Sequence, residues 1–582
     1  MKKRILLLFL SFFLLFTASG CSFRDSDEQA KFEGLIEEYF YLYVSDPMTV
    51  NFTLDKPEKY GLEGLQVTAY AFTEENYQAF GEQLVKFRER LKAVRYNSLT
   101  AAQQMTYDVV LADLDNLIAF IEYPYHLSDL GATLGYQVML PIALSEYRFK
   151  NANDIADYFA YLSATRGIFE GMVEFEKTRV EKGFGFPFGM YSLMAEQCGE
   201  IAATEEIFLI PIFNDKIAAA GFLTDAERND LKTEHLSRVG EFIDAYAYLR
   251  EELEKIEGPS FPDGGLCAYA DGADLYELIV RADAGCDMDI DEIYDYLYDK
   301  MEDDMRFVAN YLMVYPEMAA AIDNPNFLSS RDKTEIFELL RDAAEDDFPF
   351  PADEFDVRFE DIHPLLRDYV SPAFYLLSPI DAEVTEVIYI NEEILTDATQ
   401  AYFTIAHESI PGHMLQHNVL KKSDWPDARK VMDFIGYSEG WAVYVEEYIG
   451  KYLDVDETLL RAYMAARRIN YTILCLAEIE VHYYGLNLNE LRSWFRDFGG
   501  ISVDDLYEIY YLILEEPGYF LKYYLSYYLL SDLKEDFIFR LKREKIDTDN
   551  YDYEFHKFYL DFGSAPFYVM EKWIKNYIDN NY

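Results

Sequence analysis

Tyr402-Phe403-Thr404-Ile405-Ala406-His407-Glu408-Ser409-Ile410-Pro411-Gly412-His413-Met414-Leu415-Gln416-His417 is the stretch on which the reading of this chain turns. The chain has 582 residues but only eight histidines, and three of the eight fall within these sixteen positions. A His-Glu pair closing an apolar, helix-prone run, with a second His just downstream, is the layout of zinc hydrolases of the His-Glu-x-x-His type. There one helix presents two imidazoles to zinc, and the Glu beside the first His works on a water at the metal. The spacing here departs from that layout. Ligands four residues apart lie about 40° from eclipsed on a helix, whereas a six-residue separation turns them about 240° apart. His407 and His413 are six apart, so a shared metal demands a distortion between them. Pro411 has no N–H to give to the carbonyl of His407, and Gly412 relaxes the backbone that must swing His413 back. The two additional residues are therefore expected as a bulge in one helix. His413 and His417, four apart, form a rival metal pair.

Working outward, a hydrolytic zinc site needs three protein ligands and an open position. Ser438-Glu439-Gly440-Trp441 opens a second helix with Ser438 as its expected N-cap, and Glu439 lies 26 residues after His413. That makes Glu439 the expected third ligand, with Glu446, two turns along the same face, as its rival. Position 443 is Val, where such sites often keep a supporting carboxylate, so the partner that orients His407 must come from elsewhere. Glu408 is the expected general base. On the N-terminal side, Asp356 to Glu360 and Glu386 to Asn391 are short, β-branched or aromatic runs bounded by turns, which predicts strands. A strand just before the His-Glu helix suits a peptidase that holds substrate backbone by strand addition. Thr396 or Asp397 can cap the helix that carries His407.

The pattern His-Glu-x-x-Pro-Gly-His resembles a bacterial family known as domain of unknown function 885, regarded as metallopeptidase-like. Similar blocks stand at Ser371-Pro372-Ala373-Phe374-Tyr375, Glu386 to Asn391, Ser438 to Ala442, Pro517 to Tyr524 and Phe555-His556 through Gly563 to Pro566. The resemblance covers most of the chain after about Phe32. It implies a mostly α fold: one large helical body with a few short strands beside a cleft like that of glutamate-ligand zinc peptidases. It also points to two donors for a developing oxyanion. One is His482, with Glu478 four residues earlier able to hold its tautomer, although the family usually has Asp there. The other is Tyr523, which matches a family Tyr; Ser526 stands where Gly is usual. Arg467 and Arg468 could meet a substrate carboxylate, although such pairs are more often matched locally. His556 reads as structural.

The rest of the chain bounds the setting. Lys2-Lys3-Arg4, the apolar run Ile5 to Phe16 and Ala18-Ser19-Gly20-Cys21 look like a bacterial lipoprotein signal. Residues 1–20 are then removed, Cys21 is lipidated, residues 21–31 form a tether, and 32–582 form one domain; free secretion is the alternative. Helical patterns recur from Asp27 to Val44, Glu74 to Val94, Thr100 to Ile121, Asn153 to Glu181, Glu200 to Ala219 and Asp225 to Ile256, and again after Ala273. No repeat period or low-complexity linker divides them. The net charge of −55 excludes nucleic acid and an anionic membrane surface as partners, leaving the lipid on Cys21 as the expected membrane contact. Cys267 and Cys286 could pair in an exported chain. The expected function is an exported zinc-dependent (Zn2+) metallohydrolase, a peptidase acting on short peptides. The alternatives are an amidase acting on cell-wall peptides or a small amide, and a surface binding lipoprotein without catalysis.

Overall fold

Apolar residues at three- and four-residue spacing, many of them bracketed by side-chain caps, build most of the chain as helix. The computed structural model describes residues 25–68, 72–204, 207–256, 265–351, 355–362, 367 and 372–582. About 70% of the chain is helical, so the fold is mostly α. The signal, Cys21, His363 and Ser371 lie outside the described residues. The expected tether overlaps structure, however. Helix α1 already begins at Asp25 and runs to Tyr43, its first turns carrying Asp25, Asp27 and Glu28, which suit a helix N-terminus.

Helices α2 (Pro47–Thr53), α3 (Tyr136–Glu146) and α4 (Ala152–Lys182) follow in the first half. Gly183, at φ 91°, ends α4 in the left-handed conformation that glycine adopts without penalty. The single helix expected from Glu200 to Ala219 is instead two, ending at Ala203 and restarting at Leu209. Pro211 explains the restart, because proline is tolerated in the first turn and not in a helix interior. Beyond α5 (Asp225–Leu253), which packs along α4, comes α6 (Ile290–Val314). One continuous cluster of buried apolar side chains runs from Phe32 to Ile578, joining both ends of the sequence. The four described cysteines are free thiols, so Cys267 and Cys286 do not pair. No described helix is long and apolar enough to cross a membrane.

Strands β1 (Val357–Asp361), β2 (Ala373–Leu376) and β3 (Glu386–Ile390) form a sheet in the order β1-β3-β2, with β1 parallel and β2 antiparallel to β3. This corrects the strand-addition expectation. The strand that precedes the His-Glu helix is central and has both edges occupied, so β3 offers none to a substrate. The edge nearest that helix belongs to β2, which sequence patterning did not pick out as a strand.

After the sheet come α7 (Ala398–Glu408), α8 (His413–Lys422), α9 (Asp427–Val431) and α10 (Ile435–Tyr448). Helices α11 (Glu457–His482), α12 (Leu521–Arg543) and α13 (Tyr551–Phe562) complete the surroundings of the site. Helix α10 packs against both α7 and α12, and α6 lies along α11. Two glycines of α10 let α12 come close: an added Cβ would lie 2.5 Å from Ser526 Oγ at Gly436 and 2.8 Å from Ser526 Cβ at Gly440. His556 ties α13 to α10: its Nδ1–H donates to the Asp347 carbonyl at 2.7 Å and its Nε2 accepts from the Tyr444 hydroxyl at 2.7 Å. His235 accepts from the Tyr158 hydroxyl and stacks on Phe213.

Both histidines are buried in the neutral form. Burial lowers His235 from 6.5 to about 4 and His556 to about 3. Unfolding below pH 6.5 therefore takes up protons, and stability falls as pH drops from about 6.5 toward 4. Each histidine adds a slope of about 1.4 kcal/mol per pH unit. Denaturant midpoints across this range should fall with pH, and His235→Phe should flatten part of the slope.

Candidate metal centre

Asp397 caps α7 by accepting the Gln400 N–H at 2.8 Å, so the helix delivers His407 and Glu408 in its last turn. The expected bulge is a full break. Helix α7 ends at Glu408, Ser409 leaves helical geometry, the Ile410–Pro411 peptide is cis, and His413 opens α8. Pro411 explains why the helix stops: it has no N–H to continue the ladder, and it biases Ile410 away from helical geometry. The Gly412 N–H reaches back to the Ala406 carbonyl at 3.0 Å. A Cβ on Gly412 would stand 1.9 Å from the His407 carbonyl oxygen, so only glycine fits. The Trp441 indole, fully buried on α10, donates to the Pro411 carbonyl at 2.9 Å and pins the break to the helix that carries Glu439.

His407, His413 and Glu439 are thereby brought together, with one ligand atom from each lying within 4.8 Å of the others. Glu439 Oε2 is 3.6 Å from Nε2 of His407 and 3.6 Å from Nε2 of His413. Two donors about 2.1 Å from a tetrahedral zinc stand roughly 3.4 Å apart. That Glu439 oxygen is buried and has no hydrogen-bond partner among the described residues. Two imidazoles and one orphaned carboxylate oxygen at this separation fit a divalent metal such as zinc. Helix α10 starts at Ile435, earlier than expected, so Ser438 is not its cap; the Ser438 hydroxyl donates to Asp433 at 2.9 Å.

The partner that orients His407 is Glu446, at 2.7 Å from Nδ1, which leaves Nε2 for the metal. Arg467 Nη2 holds the other Glu446 oxygen at 2.5 Å. Glu446 thus stands behind His407, outside the three side chains that converge. Arg468 pairs with Asp304 and Glu447, so both arginines are matched within the chain. His417 turns away from the cluster, its Nε2–H donating to the Ser378 carbonyl at 2.8 Å.

Electrostatics follow from packing three carboxylates around two imidazoles. Burial opposes charge on His407, but Glu439, Glu446 and Glu408 outweigh it and push its pKa well above the usual value. Burial also opposes charge on Glu439, and the two histidines overcome it, holding that carboxyl far below its usual range. On Glu408 burial prevails and the pKa rises, in spite of His407, His413 and the Tyr375 N–H. That amide, on β2, donates to Glu408 Oε2 at 2.9 Å.

Tyr523, on α12, lies close enough to Glu439 and Glu408 to feel their charge: burial first, then Glu439, Tyr519 and Glu408, raise its phenol well above 10. Tyr519, four residues earlier, packs its ring beside it at 5.6 Å between centroids, a neighbour the sequence reading missed. His482 is a correction. Its Nδ1 accepts the Leu266 N–H at 3.0 Å and its Nε2–H donates to the Ile513 carbonyl at 2.8 Å, so neither nitrogen is left to meet an oxyanion. Glu478 does not hold His482 either. It accepts the N–H groups of Gly518 and Phe520, securing the start of α12.

The chain belongs to the family DUF885, bacterial proteins of unknown function, whose profile matches residues 60–574. Two solved structures share the fold, each described as a "putative lipoprotein". One, from Colwellia psychrerythraea, has a TM-score of 0.79 at 15% identity. The other, from Shewanella oneidensis and further described as of unknown function, has a TM-score of 0.61 at 16% identity. Each comparison covers 95% of this chain and 100% of the other. No curated protein sequence matches the chain.

Zinc titration against a chromophoric chelator should show Glu446→Gln weakening affinity about 10- to 100-fold through loss of His407 orientation. Gly412→Ala should weaken it at least as much, because the new methyl cannot coexist with the His407 carbonyl.

Proposed function

We propose that this protein is an exported, zinc-dependent metallohydrolase that cleaves peptide bonds and is held at the membrane by a lipid on Cys21. The observation that carries the reading is the convergence of His407, His413 and the orphaned Glu439 oxygen, with the Glu408 carboxylate against the same cluster. A His-His-Glu set would hold zinc, which when bound supplies Lewis-acid polarisation of a carbonyl and of water.

The chain's own residues do the rest. Glu408, fixed by the Tyr375 N–H, accepts a proton from the attacking water and returns it to the leaving amine. Its raised pKa brings the carboxyl nearer to neutrality, which suits a group that must both take and give a proton. The Tyr523 hydroxyl stays protonated across the working range and donates to the developing oxyanion. Glu446 and Arg467 keep His407 in the tautomer that presents Nε2.

The decisive pair of measurements is metal content by plasma mass spectrometry and hydrolysis of a mixed peptide and amide library. Wild type should carry about one zinc per chain. Glu408→Gln should keep the metal and lose at least 100-fold in kcat/KM. Tyr523→Phe should keep the metal and lose roughly 10- to 1,000-fold in kcat, with KM little changed. Wild-type turnover in Glu408→Gln would remove the mechanism, and cleavage of amides but not peptides would reassign the substrate.

A further inference from the structure

A cavity of about 660 Å³ opens onto the metal centre, with His413 and Glu439 in its wall. Its volume is that of a small-molecule or short-peptide site. Much of the rest of its lining comes from the first half of the chain and is largely apolar, with Asp46 and several hydroxyls among it. Met48 and Phe52 of α2, Met139 and Leu140 of α3, and Met172 of α4 line it together with Leu377, just past β2. Three of these are methionines, whose unbranched thioethers adapt to apolar partners of different shape. Charges of both signs also line it. They are Asp46, Asp433 and Lys430, the last in an ion pair with Asp427 at 3.8 Å.

We infer that the cavity is the specificity pocket of the site: it accepts a short peptide whose residue beside the reacting bond is large and apolar. This inference rests on the hydrolase reading for the position of the reacting bond. The adaptable walls favour aromatic and long aliphatic side chains alike. An acyl chain would meet only the apolar part, whereas a peptide also brings polar and charged groups to Asp46, Lys430 and Asp433, which line the same cavity. Discrimination between a large apolar and a small polar side chain in such a pocket amounts to about 10- to 200-fold.

Calorimetric binding of Ala-Phe-Ala, Ala-Leu-Ala, Ala-Ser-Ala and N-octanoylalanine amide to the zinc-loaded Glu408→Gln chain tests this without turnover. Ala-Phe-Ala and Ala-Leu-Ala should bind at least 10-fold tighter than Ala-Ser-Ala, with a negative heat-capacity change from apolar burial. Ala143→Trp, which fills the cavity from α3, should erase the difference. Leu377 is 55% exposed, so Leu377→Asp puts a charge at the wall without burying it, and should cut Ala-Phe-Ala binding about 10-fold while sparing Ala-Ser-Ala. Equal affinities, no binding of any peptide, or tighter binding of the acyl amide would overturn the inference. Zinc content and wild-type library turnover judge the hydrolase reading separately.

Discussion

The contact between Gly412 and the carbonyls of Ala406 and His407 is the constraint on which the site depends. A chain that must put two imidazoles six residues apart onto one point cannot do so with a continuous helix. Proline ends the first helix, and glycine lets the second begin against its end. Closing the gap this tightly leaves no room for a methyl group at position 412. The Trp441 indole then fastens the joint to α10, so the backbone that places His413 and the helix that places Glu439 move as one piece.

Around that joint the chain spends much of its buried charge. Glu439 faces the two histidines, Glu446 backs one of them, and Arg467 neutralises Glu446 from the opposite side. Removing one partner from so buried an arrangement leaves an uncompensated charge, which costs more than an exposed pair would. A second buried set lies behind the cavity wall. Lys421 and Ser378 meet one oxygen of Glu386 at 3.1 Å each, and the Tyr375 hydroxyl reaches the other at 2.5 Å. These bonds tie β2, β3 and α8 together, which fixes the edge strand whose amide holds Glu408.

Much of this was legible in the sequence because it rests on local patterns. Three- and four-residue apolar spacing gave the helices, and the rarity of histidine drew attention to the metal cluster. Glu439 was singled out as a carboxylate near a helix start, and the structure brings it against His407 and His413; Glu446, its rival on the same face, instead bonds to His407 Nδ1. The failures are of tertiary origin. His482 and Glu478 look like a donor pair at four-residue spacing, yet each is drawn to backbone groups of other segments, at Leu266, Ile513, Gly518 and Phe520. Strand β2 is four residues long and bracketed by Pro372 and Leu377, too short for alternation to declare it. The apolar cavity is invisible to any local pattern, since its walls are hundreds of residues apart.

Tyr375 stands at three of these places at once. Its amide fixes Glu408, its hydroxyl is locked to Glu386, and its side of β2 lines the cavity. The residue that feels an occupant is therefore the residue that aims the carboxylate. An occupant that presses on the ring is transmitted through one rigid side chain to the amide, with no moving loop between them. Under the proposed reading, filling the pocket and setting the base become one mechanical event, and a poorly filled pocket leaves the carboxylate less firmly aimed.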